Sequence, residues 1–100
     1  MTKLAAEEIE QRLATVAGWD LGGGEGVGDG GEIVREWKLE DFAAAVAFVD
    51  RVAELAEAAN HHPDILLHGW NRVRLTLSTH SEGGLTDADF GLAAQIDSLA

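Results

Sequence analysis

One hundred residues with 46% hydrophobic side chains suffice for one small domain built around a single core. Seven Lys and Arg against eighteen Asp and Glu leave a net charge of −11, which repels phosphate backbones and anionic lipid and argues against direct nucleic-acid or membrane binding. No apolar run approaches a membrane span, MTKLAAEEIEQ lacks signal-peptide character, and the absence of cysteine rules out disulfides, thiolate metal sites and a cysteine nucleophile, so the composition predicts a soluble cytoplasmic protein.

In chain order, AAEEIEQRLATVA (5–17) places Ile9, Leu13 and Val16 on one helical face, with acids in the first turn where the helix dipole favours them. Gly18 ends that helix. Most of the twelve glycines then fall between Asp20 and Glu32. The stretch 22–31 lacks the GxxxxGK[ST] lysine and the context of a dinucleotide loop, and its acids would repel an anion, so it reads as a connection between two strands. IVREWKL (33–39) alternates, with Ile33, Arg35, Trp37 and Leu39 on one side and Val34, Glu36 and Lys38 on the other. A helix is predicted over about 41–60, where Phe42, Val46, Val49, Ala53 and Ala56 form an apolar stripe expected to pack on the core. A helix this rich in alanine could also pack against a second copy of itself.

Pro63 stops the helix and disfavours helical geometry at His62. DILLHGW and RVRLTLST, flanking Asn71, read as a hairpin, with Val73, Leu75, Leu77 and Thr79 on one side and Arg74, Thr76, Ser78 and His80 on the other. Thr86 is a good N-cap for a last helix over about 87–99 carrying Phe90, Ala93, Ala94 and Ile96. The order α-β-β-α-β-β-α predicts an α+β fold: one four-stranded antiparallel sheet with three helices packed on one face, a single domain over 1–100. The uncovered sheet face and edges make self-association a reasonable expectation.

The chemistry gathers in AANHHPD (58–64), where two adjacent histidines stand at a helix end sealed by the only proline. Glu57, four residues before His61, is placed to accept from its imidazole and fix the tautomer. His80, at the end of the last strand, completes a trio suited to proton transfer near neutral pH. His68 sits mid-strand with no acid at useful spacing and reads as a surface or sheet histidine; Trp19 and Trp37 read as core, and Trp70 could also be sheet core. Thr86-x-x-Asp89 resembles a capping box, a structural reason for that aspartate. Adjacent His61 and His62 diverge, and no HExxH or HxH exists, so a metal site is disfavoured. Neither Ser78 nor Ser81 has the context of a nucleophile.

Taken together, Glu57, His61, His62, Pro63, Trp70, His80 and Asp89, with GW at 18–19, IVREWKL before DF, NRVRLTLSTH and GLTDADF, resemble the pterin-4a-carbinolamine dehydratases over nearly the whole chain. The resemblance implies a lyase that dehydrates 4a-hydroxytetrahydropterin to quinonoid dihydropterin by histidine acid–base catalysis, in tetrahydrobiopterin recycling. It implies His61, His62 and His80 as catalytic residues, and Glu57, Pro63, Trp70, Ser78, Thr79, Ser81, Glu82 and Asp89 as the substrate-binding set. Neither metal nor organic cofactor is implied, the pterin being substrate. A homodimer or homotetramer and a functional link to an aromatic amino-acid hydroxylase are implied as partners. Ala88, where many relatives carry a basic residue, and LLHG before Trp70 depart from the usual pattern. Two alternatives stay open: a partner-stabilising, non-catalytic pterin-binding module, and the same chemistry on a molybdopterin- or folate-related pterin.

Overall fold

The computed structural model describes residues 2–22 and 31–99, so most of the glycine-rich connection read at 22–31 lies outside the described residues. Helix α1 spans Ala6–Leu13, strand β1 Asp20–Gly22, strand β2 Glu32–Lys38, helix α2 Phe42–Ala59, strand β3 Asp64–His68, strand β4 Arg72–Leu77 and helix α3 Asp87–Asp97. All strand pairs are antiparallel, in the order β1-β2-β4-β3. The two hairpins β1–β2 and β3–β4 therefore meet in the middle, and β3 is an edge. No helix among the described residues is long and apolar enough to cross a membrane.

Alternation along the strands decides the two faces of the sheet. Ile33 and Trp37 of β2 and Val73, Leu75 and Leu77 of β4 are buried beneath the helices, while Arg72 and Arg74 point into solvent. Trp19 and Trp37 meet edge to face at 5.6 Å, Phe48 packs on Trp37 at 5.0 Å, and the Arg35 guanidinium covers the Trp37 ring at 4.8 Å. Asp97 of α3 accepts from both Trp19 Nε1 (2.8 Å) and Arg35 Nη1 (3.0 Å), which ties the C-terminal helix to the chain after α1. Gly18 permits this closure: its φ is +95°, and a Cβ there would meet the Arg35 guanidinium at 2.8 Å.

Helix α2 corrects the expected stripe. Its buried face is Ala45, Phe48, Val52 and Ala56; Phe42 and Val46 are 55% and 39% exposed, Ala53 is exposed, and Val49 is half-buried. The helix carries two apolar stripes, and its alanines leave periodicity unable to choose between them. Phe48 decides the matter by filling the space against Trp37. Helix α1 is also shorter than the sequence suggests, although Val16 beyond its end is still buried.

The open sheet face corrects the reading of His68. Its Nε2 meets Glu36 Oε1 at 2.6 Å across the intervening strand β4, and Arg74 Nε reaches the same oxygen at 3.3 Å. The hydrogen bond from His68 holds the Glu36 carboxyl below its ordinary value of 4.5; desolvation opposes this, and the charges of His68, Arg74 and Arg72 reinforce it. A lowered carboxylate pKa contributes stability that is present above pH 4.5 and lost as the pH falls through the lower folded value. Glu36→Gln should therefore be less stable than wild type at about pH 7 in urea unfolding, with the difference shrinking as the pH is lowered below 4.5. A difference that persists in acid would show that the ion pair is not its source.

Candidate functional site

Three chain ends converge at one end of the β3–β4 hairpin. The first is the C-terminus of α2. Asn60 adopts the left-handed conformation (φ 51°), Asn60 N donates to Glu57 O (3.2 Å) and His61 N to Ala56 O (3.0 Å). This closure satisfies the last carbonyls of the helix and swings the next residues off its axis, with asparagine in the place usually taken by glycine. His61 and His62 are thus carried away from the helix, and Pro63 leads into β3.

The second end is that of β4. Asp64 pairs with Thr76, so His62 and Ser78, each two residues further along, share the same end of the hairpin. Past Ser78 the chain closes a tight turn: Thr79 N donates to Gly84 O (3.1 Å) and Gly84 N to Thr79 O (3.3 Å), with the short 3-10 helix His80–Glu82 between them. The third end is the start of α3. There Thr86 is the N-cap, its Oγ1 accepting from Ala88 N (3.2 Å), and Asp89 Oδ2 accepts from Thr86 N (2.9 Å) in the capping box that the sequence indicates.

Asp89 joins the three ends. Its side chain is fully buried (0% exposed), and its other oxygen, Oδ1, meets His61 Nε2 at 2.5 Å. Oδ2 also accepts from Thr79 Oγ1 at 2.8 Å. A buried carboxylate with three donors is fully compensated. An ionised carboxylate only accepts, so in a neutral His61 ring paired with it the proton is on Nε2 and Nδ1 is the acceptor nitrogen. The His61 side chain is 15% exposed, enough for one ring edge to reach solvent or a ligand. Nδ1 has no hydrogen-bond partner among the described residues.

This pairing corrects the one expected for Glu57, which meets His62 rather than His61. Glu57 Oε2 hydrogen-bonds His62 Nε2, and both side chains are well exposed. His80 is exposed on the turn, as are Ser81 and Glu82, and Pro63 is half-buried. Thr79 is buried with its hydroxyl directed at Asp89, and Asp89 is buried with one oxygen on His61. Ser78 donates to Gly31 O (2.6 Å) and so fastens β4 to the start of β2. Trp70 does not join the group. It stands at the opposite end of the hairpin, beyond His68, which is itself four strand residues or about 13 Å from Asp64; Trp70 is 61% exposed, with φ 61°. Among the described residues no cluster of three or more His, Asp or Glu side chains is arranged to hold a metal ion. Thr86 and Asn60 were not among the expected site residues; Asn just before HHP is a sequence signal for a left-handed helix stop.

Comparison with known proteins places this geometry in a family. The family model described as pterin 4 alpha carbinolamine dehydratase matches residues 2–99. A Chloroflexus aurantiacus protein bearing a provisional pterin-4-alpha-carbinolamine dehydratase name is 50% identical over 99 residues, covering 99% of this chain and 98% of its own. The Arabidopsis thaliana protein named pterin-4-alpha-carbinolamine dehydratase 2, mitochondrial, is 42% identical over 99% of this chain, which spans 50% of that longer protein. Among solved structures, a Brucella melitensis transcriptional coactivator/pterin dehydratase superposes with a TM-score of 0.86 at 33% identity over 99% of both chains. A pterin dehydratase-like RuBisCO assembly factor of the alpha-carboxysome superposes with a TM-score of 0.59 at 30% identity, over 69% of this chain and 79% of its own.

Proposed function

Because the chain belongs to the pterin 4 alpha carbinolamine dehydratase family, we propose that it removes water from a 4a-hydroxytetrahydropterin to give the quinonoid dihydropterin. In that reaction the C4a–O bond breaks, the departing hydroxyl takes a proton, and the N5 proton is removed as the C4a=N5 double bond forms. One base and one acid are needed. His61 suits the base, because a Nε2–H held by Asp89 leaves Nδ1 as the accepting nitrogen. His62 and His80, exposed at the same end of the hairpin, suit delivery of the proton to the leaving oxygen, with Glu57 orienting His62. Each such assist is worth about 10²–10⁴-fold.

The buried Asp89–His61 pair carries this reading. A carboxylate with no solvent exposure, committed to the tautomer of a half-buried histidine, is a costly arrangement for a surface histidine and a useful one for a base. Stopped-flow absorbance of a freshly generated 4a-hydroxytetrahydropterin, with and without the protein, tests it. Acceleration is expected, undiminished by a chelator; no acceleration by the folded chain overturns the proposal. The place of this step in tetrahydrobiopterin recycling rests on the same reading.

A second reading, a partner-binding module, draws on the two structural relatives described as coactivator and assembly factor. In this chain the face available for it is the exposed stripe Phe42–Val46 on α2. The same stripe fits self-association, which sedimentation equilibrium would register as a mass above that of one chain.

A further inference from the structure

We propose that Thr79 is a positioning residue that sets His61 and His80 relative to one another. The inference rests on the dehydratase reading for its kinetic consequence only. The direction of the hydrogen bond between Thr79 and Asp89 is fixed by chemistry. Asp89 Oδ2 can only accept, so the single hydroxyl proton of Thr79 points at it across 2.8 Å. Thr79 Oγ1 also lies 2.9 Å from Thr86 Oγ1, which accepts from Ala88 N at 3.2 Å. The result is a buried network that runs from the first turn of α3 through two hydroxyls to the carboxylate, which in turn holds His61. Thr79, Thr86 and Asp89 are all buried, so water cannot replace a missing link.

The backbone of Thr79 does a second job. Its N–H and C=O both pair with Gly84 and close the turn that begins at His80, the next residue. One residue thus anchors His80 through the main chain and His61 through Asp89. A β-branched side chain suits this position, since its restricted χ1 keeps the hydroxyl aimed at Asp89. Removing the hydroxyl leaves Asp89 one donor short and free to tilt, and the His61 ring follows it.

Thr79→Val keeps the shape and deletes the hydroxyl, whereas Thr79→Ser keeps the hydroxyl and deletes the methyl. The valine variant should lose about 10–100-fold in kcat with KM changed by less than about twofold, and the serine variant should recover most of that loss. Nitrogen-15 spectra of the His61 ring supply a readout independent of turnover: a single Nε2–H tautomer in wild type and serine variant, a mixture in the valine variant. In folded wild type the Thr79 hydroxyl proton should itself be visible and slow to exchange, which keeps the test alive if the valine variant fails to fold. Wild-type kcat and an unchanged tautomer in Thr79→Val would overturn the proposal. So would equal losses in both variants, or a fast-exchanging hydroxyl. Were the chain inactive on the carbinolamine, a tautomer shift in Thr79→Val would still support the positioning role while the dehydratase reading fell.

Discussion

Asp89→Asn should give a folded protein with kcat/KM lowered about 10²–10⁴-fold, because an amide cannot serve His61 and the helix cap at once. The carboxylate accepts from His61 on one oxygen and from Thr79 and Thr86 on the other. Asparagine offers one accepting oxygen and one donating nitrogen. If the oxygen stays at the cap, the amide N–H₂ faces His61 Nε2 and forces the ring proton to Nδ1, where it blocks the proposed base. If the oxygen turns to His61, two donors face each other at the buried start of α3. The first arrangement is the cheaper, so activity should fall much further than stability, which drops by about 1–2 kcal/mol. Asp89→Ala strands all three donors and should cost about 2–4 kcal/mol as well as activity. Urea unfolding and steady-state kinetics on the two variants separate these effects. An asparagine variant with wild-type turnover would show that His61 needs no fixed tautomer, and the proposed base would have to be another group.

The element order, the alternation in β2 and β4 and the meeting of histidines at one end of the sheet were all legible in the sequence, because each depends on local period or on a stop signal. The partners were less so. Helical i, i+4 spacing matches Glu57 to His61, but the left-handed Asn60 ends the helix first and brings His62 back over Glu57. Asp89 had a sufficient local reason in the capping box, which hid its longer reach: the oxygen not used by the cap meets a histidine 28 positions away. Neither the Glu36–His68 contact, spanning β4, nor the Ser78 hydroxyl turned to Gly31 follows any spacing rule. Trp70 belongs to the family-like pattern of residues, yet hairpin geometry sends it away from the histidines. On α2 the choice between two apolar stripes depended on what lay opposite, and that is tertiary information.

His80→Ala and His62→Ala should each remove most turnover, about 10²–10⁴-fold, while unfolding free energies stay within about 0.5 kcal/mol of wild type. The separation follows from where the rings stand. His80 is exposed on its turn, its side chain makes no hydrogen bond among the described residues, and the turn is closed by Thr79 and Gly84 backbone groups that the substitution leaves in place. Among the described residues His62 pairs only with the exposed Glu57, and water can replace either partner. His61→Ala is different in kind, since it strands one oxygen of a buried carboxylate and should cost about 1–3 kcal/mol besides activity. Histidines that serve only as surface would show the reverse pattern, with small effects everywhere except stability at His61. If His80→Ala alone kept wild-type turnover, the turn at 80–82 would leave the chemistry. His61 and His62 would then have to supply both proton transfers from a single helix end.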